Sequence, residues 1–261
     1  MMQALIFDVD GTLADTEDVH RQAFNQAFAA FGLGWQWDAP LYAELLQITG
    51  GKERIAGFLN RLELPPLQRR RLQRLIPDIH GTKTRMYRDL LERGQVPLRA
   101  GVLRLAQEAR TAGMRLGIAS TTSPDNIEPL LTAGFGGNAL DWFAAIATGD
   151  IVTHKKPAPD IYNVALRVLG IGPAAAIALE DSAIGVRAAK AAGLFTVATP
   201  SRWTQQQDFS AADLVLESLG DPGEPLGAAD ERQVGARYLS LERLLALHAA
   251  QGAGGVHVEA H

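Results

Sequence analysis

The stretch Ala4-Leu5-Ile6-Phe7-Asp8-Val9-Asp10-Gly11-Thr12 decides how the rest of the chain is read. Ala4 to Val9 is mostly apolar, as expected of a strand buried on both faces, and Asp10-Gly11 ends it. Two carboxylates separated by one residue thus leave the carboxyl end of a strand, where open α/β sheets bind their ligands. There Asp8 can offer one oxygen to a phosphorus atom and the other to a metal. Asp10, one step beyond, can protonate a leaving alkoxide and later deprotonate a water. Asp-Gly is also a common turn dipeptide, so the assignment rests on what the other strands carry at the same end.

Working outward, further strands are predicted at Met114–Ser120, Ala144–Thr148, Ala176–Glu180, Leu194–Thr199 and Asp213–Leu216. Helical patterns at Val102–Thr111, Asn126–Ala133, Pro159–Leu169 and Gly185–Ala192 alternate with them, each closing at or near a glycine, the usual helix stop. Strand and helix in alternation argue for an α/β fold with a parallel sheet covered on both faces. The strand ends then carry chemistry. Ser120 and the N–H groups just beyond it, from Thr121 on, suit a phosphate oxygen. Lys156, in the loop Lys155-Lys156-Pro157, can neutralise both phosphate and Asp8; elsewhere such a lysine pair is simply solvated. Glu180-Asp181-Ser182 brings a second carboxylate pair. Mg²⁺ takes oxygen ligands, with only one or two carboxylates beside substrate phosphate. Asp8 and Asp181 can be those two, with the Asp10 backbone carbonyl as a third ligand and Glu180 holding a metal-bound water or Lys156. Asp181-Ser182 also reads as a helix cap, which is compatible.

Between the first strand and Val102 the pattern is wholly helical: Thr16–Phe31, Lys52–Leu62, Leu67–Ile76 and Asp78–Leu91. This predicts a helical cap over residues 15–93, inserted into a core built from 1–14 and 94–261. Its hinges are expected near Leu13-Ala14-Asp15 and Arg93-Gly94. Glu17 and His20 share a face of the first cap helix, although His20 also lies on a stripe with Phe24, Ala27 and Phe31 and could be an ordinary boundary residue. Gly50-Gly51 open the backbone before a helix bearing Lys52 and Arg54, a compact anion site or else a loop with solvated charges. Lys83 is a further candidate cation. A second anion site facing the first implies a substrate with two phosphates, or a phosphosugar bound in two orientations.

The bulk properties exclude several alternatives. With 261 residues, 47% hydrophobic, the chain can bury a core, and its formal charge of −4 with one short basic run, Arg69-Arg70-Arg71, offers no field for nucleic acid. It has no cysteine, which removes disulfides, thiol catalysis and cysteine-bound zinc. No signal peptide and no apolar run near the roughly 20 residues of a membrane span are evident. The expectation is a cytoplasmic, monomeric enzyme with no membrane or nucleic-acid partner. Residues 219–230 read as a loop, Tyr238–His248 as a helix docked on the core, and Gly252 onward as frayed.

The four strand-end motifs, Asp8-Val9-Asp10-Gly11-Thr12, Ser120, Lys156-Pro157 and Glu180-Asp181, resemble in order and context those of the haloacid dehalogenase superfamily. The resemblance implies a Rossmann-like core and an aspartyl-phosphate intermediate. It implies Asp8 as nucleophile, Asp10 as general acid/base, Ser120 and Lys156 as phosphate stabilisers, and Mg²⁺ held at Asp8, Asp10 and Asp181. The helical insert is similar to the C1-type cap of the β-phosphoglucomutase-like branch. Within that branch the segments around Glu17, Gly51 and Lys83, together with Lys155-Lys156-Pro157, resemble phosphatases of carbon-fixing bacteria and plastids selective for xylulose-1,5-bisphosphate. That implies Glu17, His20, Lys52 and Arg54 as holders of the sugar and its distal phosphate; Gly51, Lys83 and Thr121 are substrate-binding candidates on the residue patterns above. The Leu64–Ile76 stretch is longer than expected for such a cap. A phosphomutase of the same branch is the nearest rival, and a catalytically silent sugar-phosphate-binding protein a more distant one.

Overall fold

The computed structural model describes residues 2–93 and 96–254. Among these, six strands form one parallel sheet: β1 (Ala4–Phe7), β2 (Arg115–Ala119), β3 (Phe143–Ala147), β4 (Ala176–Glu180), β5 (Phe195–Ala198) and β6 (Leu214–Val215). Their order is β3-β2-β1-β4-β5-β6. The chain runs outward from β1 through β2 to β3, then returns to lay β4 against the other side of β1. That reversal opens a crevice beyond the carboxyl ends of β1 and β4. The ladder continues one step past β1, with Asp8 N–H donating to Leu179 O at 2.9 Å, and so fixes the height of Asp8 against the end of β4.

Four helices follow β1 directly: α1 (Glu17–Ala30), α2 (Ala39–Leu45), α3 (Gly51–Arg61) and α4 (Pro66–Arg93). Then come α5 (Val102–Thr111), α6 (Pro124–Phe135), α7 (Asp160–Leu169), α8 (Ala183–Ala191), α9 (Ala228–Val234) and α10 (Leu241–Gly254). The two-residue period of the strands sorts the sheet's faces. Leu5, Phe7, Leu116, Ile118, Ile177 and Leu179 pack with α5, α6 and α10. Ala4, Ala119, Ala145, Ala147, Ala176 and Ala178 pack with α7 and α8, where small side chains let helix and sheet approach closely.

Helices α1–α4 hold a cluster of their own, rich in aromatics. Trp37 lies 4.7 Å from Phe24, 4.8 Å from Phe28 and 5.4 Å from Phe58 between ring centroids. Ala23, Tyr87 and Leu91 join these helices to the sheet's cluster. Ala14 forms an antiparallel bridge to Leu98, and Arg99 N–H donates to Leu13 O, so the two connecting segments run side by side. Gly94, of the second expected hinge, lies outside the described residues.

Several expectations need correction. The helices anticipated at 67–76 and 78–91 are one, α4, which carries Pro77 inside it. Proline removes one helical hydrogen bond, but Leu72, Ile76, Ile79, Tyr87 and Leu91 keep one buried stripe through it. Helix α2 went unpredicted because it has only seven residues; Asp38 caps it by accepting from Leu41 N–H at 2.9 Å. Helix α9 lies partly in the stretch read as loop and buries Val234. Helix α10 starts later than expected, where Ser240 Oγ accepts from Arg243 N–H, and Gly252–Gly254 continue it rather than fraying. Residues 255–261 lie outside the described range. No helix among the described residues is long and apolar enough to cross a membrane.

Candidate active site

Strand ends supply the floor of the site. Buried Lys156 donates from Nζ to Asp8 Oδ1 at 2.7 Å and to Glu180 Oε1 at 2.5 Å, and Tyr162 OH donates to the same Glu180 oxygen at 2.5 Å. Asp8, Glu180 and Asp181 each offer an oxygen within 4.8 Å of the others. Three buried carboxylates thus cluster here, and two of them, Asp8 and Glu180, share the Lys156 ammonium. Burial pushes the Asp8 carboxyl up to about 8, with Glu180 and Asp10 adding to the shift and Lys156 opposing it. Burial and the charges of Asp8 and Glu180 likewise hold Asp181 well above the usual carboxylate range. Burial disfavours the Lys156 charge, but Asp8 and Glu180 outweigh it and hold the proton firmly. A buried cluster of hard oxygen donors short of positive charge fits a divalent cation. Gly11, at φ 89°, makes the close approach possible, because a Cβ there would overlap the Asp181 carboxylate.

The Asp10 side chain is not in that cluster. It turns toward the cap, where Thr16 Oγ1 donates to its Oδ1 at 2.5 Å and His20 Nε2 lies 2.9 Å from the same oxygen. Lys83 Nζ sits 2.6 Å from His20 Nδ1, and the imidazole stacks on Tyr87 at 4.0 Å. With the Lys83 ammonium donating to Nδ1, the ring carries its hydrogen on Nε2 and donates it to Asp10. Burial and then Lys83 keep His20 below its usual value, in keeping with a neutral ring. Burial resists ionisation of Asp10, yet His20 and Thr16 prevail and hold it well below the carboxylate norm. A carboxylate so held is set to accept a proton. Burial lowers Lys83 to about 7, Asp10 opposing and Arg54 reinforcing.

One open cleft brings the strand ends and helices α1–α4 together. Asp8, Asp10, Ser120, Thr121, Lys156 and Asp181 line it from the core, and Glu17, His20, Gly51, Arg54 and Lys83 from the cap. Ser120 is buried and accepts from Thr122 N–H at 3.2 Å. Glu180 lies behind Lys156, fully buried and outside the lining. Lys52 is also outside the lining, exposed on the first turn of α3. Its charge is nonetheless felt: burial, then Lys83, Lys52 and Lys155, push His80 down to about 3. A Cβ on Gly51 would overlap the His80 ring. Arg54 is tied back by Leu45 O and Ile48 O at Nε and by Tyr42 OH at Nη1. Tyr42 OH in turn donates to Glu17 at 2.7 Å.

The sequence reading missed Thr16, Tyr42, Tyr87, Asn126, Tyr162 and Thr204. Tyr42 and Tyr162 sit on apolar stripes whose hydroxyls give no local signal. Thr204 Oγ1, 3.3 Å from Asp181 Oδ2, comes from the loop after β5. Asn126 donates to Thr122 Oγ1 at 3.0 Å in the cleft wall. Among the described residues, Lys155 Nζ reaches Glu53 Oε1 of α3 at 2.8 Å, a closer ion pair than Arg202–Asp18 at 3.9 Å or Arg99–Asp15 at 3.8 Å.

A parallel sheet with a carboxylate–lysine–carboxylate floor at its switch point and a helical roof defines a class. Residues 2–193 match the haloacid dehalogenase-like hydrolases, the chain belongs to that family, and it is a phosphatase of it. A plasmid-borne CbbY protein of Cupriavidus necator is 48% identical over 225 residues, 86% of this chain and 89% of that protein. The crystal structure of CbbY from Rhodobacter sphaeroides in complex with phosphate, also 48% identical, aligns with a TM-score of 0.79 over 88% of this chain and 99% of that one. A mutant of the same protein in complex with xylulose-1,5-bisphosphate aligns at 0.78, again 48% identical, over 85% and 98%.

Proposed function

We propose that this chain is an Mg²⁺-dependent sugar-bisphosphate phosphatase that converts xylulose-1,5-bisphosphate to xylulose-5-phosphate through an aspartyl phosphate on Asp8. The observation that carries the reading is the single cleft in which Asp8, held by Lys156, faces Glu17, Arg54 and Lys83 of the cap. A relative of 48% identity crystallised with that bisphosphate supports the choice of substrate.

Asp8, Asp181 and the Asp10 backbone carbonyl would hold the cation, which when bound offsets phosphate charge beside the nucleophile. Asp8 attacks phosphorus while Lys156, Ser120 and the Thr121 N–H hold the phosphoryl oxygens. Asp10 gives a proton to the departing sugar oxygen, then takes one from the water that cleaves the phosphoenzyme. Because Asp10 is ionised in the free enzyme, its proton enters with the substrate, whose negative charge raises the carboxyl's affinity for it. Residues 15–93 act as a cap that closes over the sugar, with Glu17 and His20 near its hydroxyls and Arg54, Lys52 and Lys83 supplying positive charge for the distal phosphate.

Phosphate release from a panel of sugar mono- and bisphosphates with Mg²⁺, including xylulose- and ribulose-1,5-bisphosphate, tests this. The expected outcome is a strong preference for xylulose-1,5-bisphosphate. Preference for monophosphates would sink the role given to Arg54 and Lys52. Conversion of glucose-1-phosphate to its 6-phosphate with little phosphate release would make the enzyme a mutase instead.

A further inference from the structure

Between β5 and β6 the chain makes a compact turn that none of the roles above uses. Thr199 N–H donates to Glu180 O at 2.7 Å, so the turn starts in register with the end of β4. Arg99 grips its beginning through the carbonyls of Thr199 and Pro200, at 2.5 and 3.1 Å. Ser201 and Thr204 are buried and close on each other, Ser201 N–H donating to Thr204 Oγ1 at 2.9 Å and Thr204 N–H to Ser201 O at 3.0 Å. Thr204 Oγ1 also reaches Asp181 Oδ2 at 3.3 Å. Gln207 Oε1 accepts from Ala183 N–H at 2.8 Å, at the start of α8 just beyond Asp181. The turn is therefore fixed to the core at both ends and holds one carboxylate of the metal site.

Trp203 points the other way. Its ring meets Tyr42 of α2 edge-on, at 5.5 Å between centroids and 84° between planes, and packs against the aromatic cluster of α1–α4. Tyr42 donates its hydroxyl to Glu17 and accepts from Arg54, so what fixes Tyr42 fixes two of the pocket's polar side chains. The neighbouring Arg202–Asp18 pair, 3.9 Å apart and solvent-exposed at Arg202, adds little to this contact. An aromatic side chain from the core set into the cap's cluster is in place only while the cap sits down on the sheet. Its next residue in sequence touches Asp181.

We propose that the Ser201–Gln207 turn couples substrate recognition in the cap to the metal site. Trp203 is a positioning residue that fixes Tyr42, and through it Glu17 and Arg54, while the adjacent Thr204 fixes Asp181. The proposal rests on the sugar-bisphosphate reading of the cleft. A ligand that fills the cap seats Tyr42 on Trp203 and thereby favours the turn that orients Asp181. By thermodynamic reciprocity, a cation at Asp181 then tightens the cap's grip on that ligand by the same factor. A ligand confined to the core, such as inorganic phosphate, can be linked to the cation only directly.

Calorimetric titration of Mg²⁺ separates the two routes. Asp10→Asn slows turnover about 10²- to 10⁴-fold yet keeps every proposed cation ligand, and it serves as the parent protein. Mg²⁺ affinity is measured alone, with saturating inorganic phosphate, and with saturating xylulose-1,5-bisphosphate. The bisphosphate should tighten Mg²⁺ about fivefold more than phosphate does, at the lower end of usual allosteric couplings. Adding Trp203→Ala should erase that excess and leave the phosphate effect in place, and Trp203→Phe, which keeps an aromatic edge, should restore most of it. An excess that survives Trp203→Ala, or no excess in the parent although both ligands bind, would overturn the coupling. If the parent does not bind the bisphosphate at all, the substrate reading falls and takes the coupling with it.

Discussion

The floor and the roof of the cleft are built differently. On the floor, Asp8 and Glu180 are buried at strand ends, Lys156 in the loop before α7 and Tyr162 on α7. They are locked to one another by charge-assisted hydrogen bonds of 2.5 to 2.7 Å. In the roof, Glu17, Tyr42 and Arg54 stand on helices of a separate aromatic cluster and are held by one another and by backbone carbonyls. Its links across to the core include the half-exposed pair Glu53–Lys155, the loose Arg202–Asp18 pair, the Trp203–Tyr42 contact and, from the start of α1, the Thr16 and His20 contacts to Asp10. The floor is therefore preorganised, whereas the placement of Glu17, Tyr42 and Arg54 depends on how helices α1–α4 are seated.

Substitutions can break this contrast, beginning with the floor. Lys156→Ala leaves Asp8 and Glu180 as unpaired buried carboxylates. It should cost about 3 kcal/mol or more of stability by chemical denaturation and about 10³-fold in kcat even on p-nitrophenyl phosphate. Asp10→Asn should lower kcat about 10²- to 10⁴-fold. Roof substitutions should discriminate between substrates. Arg54→Ala should lower kcat/KM for the sugar bisphosphate about 10- to 100-fold, the scale of a lost hydrogen bond to a charged group, and scarcely change p-nitrophenyl phosphate hydrolysis. An equal loss on both substrates would erase the distinction between floor and roof.

A smaller effect concerns pH. Lys83 in the folded protein releases its proton at about 7, whereas its ordinary value is 10.5. Between those values the unfolded chain binds a proton that the folded chain has lost, so Lys83 makes stability rise with pH across that window. Denaturation midpoints of the metal-free enzyme should show this rise, and Lys83→Met should flatten it. The smallest effect is expected of Glu53→Gln, whose partly exposed ion pair should change bisphosphate KM by about twofold.

Much of the floor was legible in the sequence because each strand end follows a short apolar run and is closed by glycine, proline or a polar residue. Asp8, Ser120, Lys156 and Asp181 are recognisable one at a time from such local patterns, and the structure brings all four into one cleft. The roof was less legible. Lys83 meets His20 across 63 residues and Tyr42 meets Glu17 across 25, partnerships that no local period encodes. Lys52, two residues from Arg54, falls outside the lining because successive helical positions diverge by a wide angle. The unbroken α4 was hidden by Pro77, whose local preference was overridden by a stripe of tertiary contacts on both sides. The Asp10 side chain, read in sequence as the general acid/base, is held by Thr16 and His20, partners that only the seating of α1 could reveal.

The central claim, a common phosphoenzyme on the floor whichever substrate the roof admits, can be tested by trapping. Enzyme quenched during turnover is treated with borohydride, which reduces an acyl phosphate to the alcohol and so converts a phosphorylated aspartate to homoserine. Peptide mass mapping should find homoserine at position 8 with both xylulose-1,5-bisphosphate and p-nitrophenyl phosphate, and at no other aspartate. Rapid turnover with Asp8 unmodified on either substrate, or homoserine at a different position, would contradict the account.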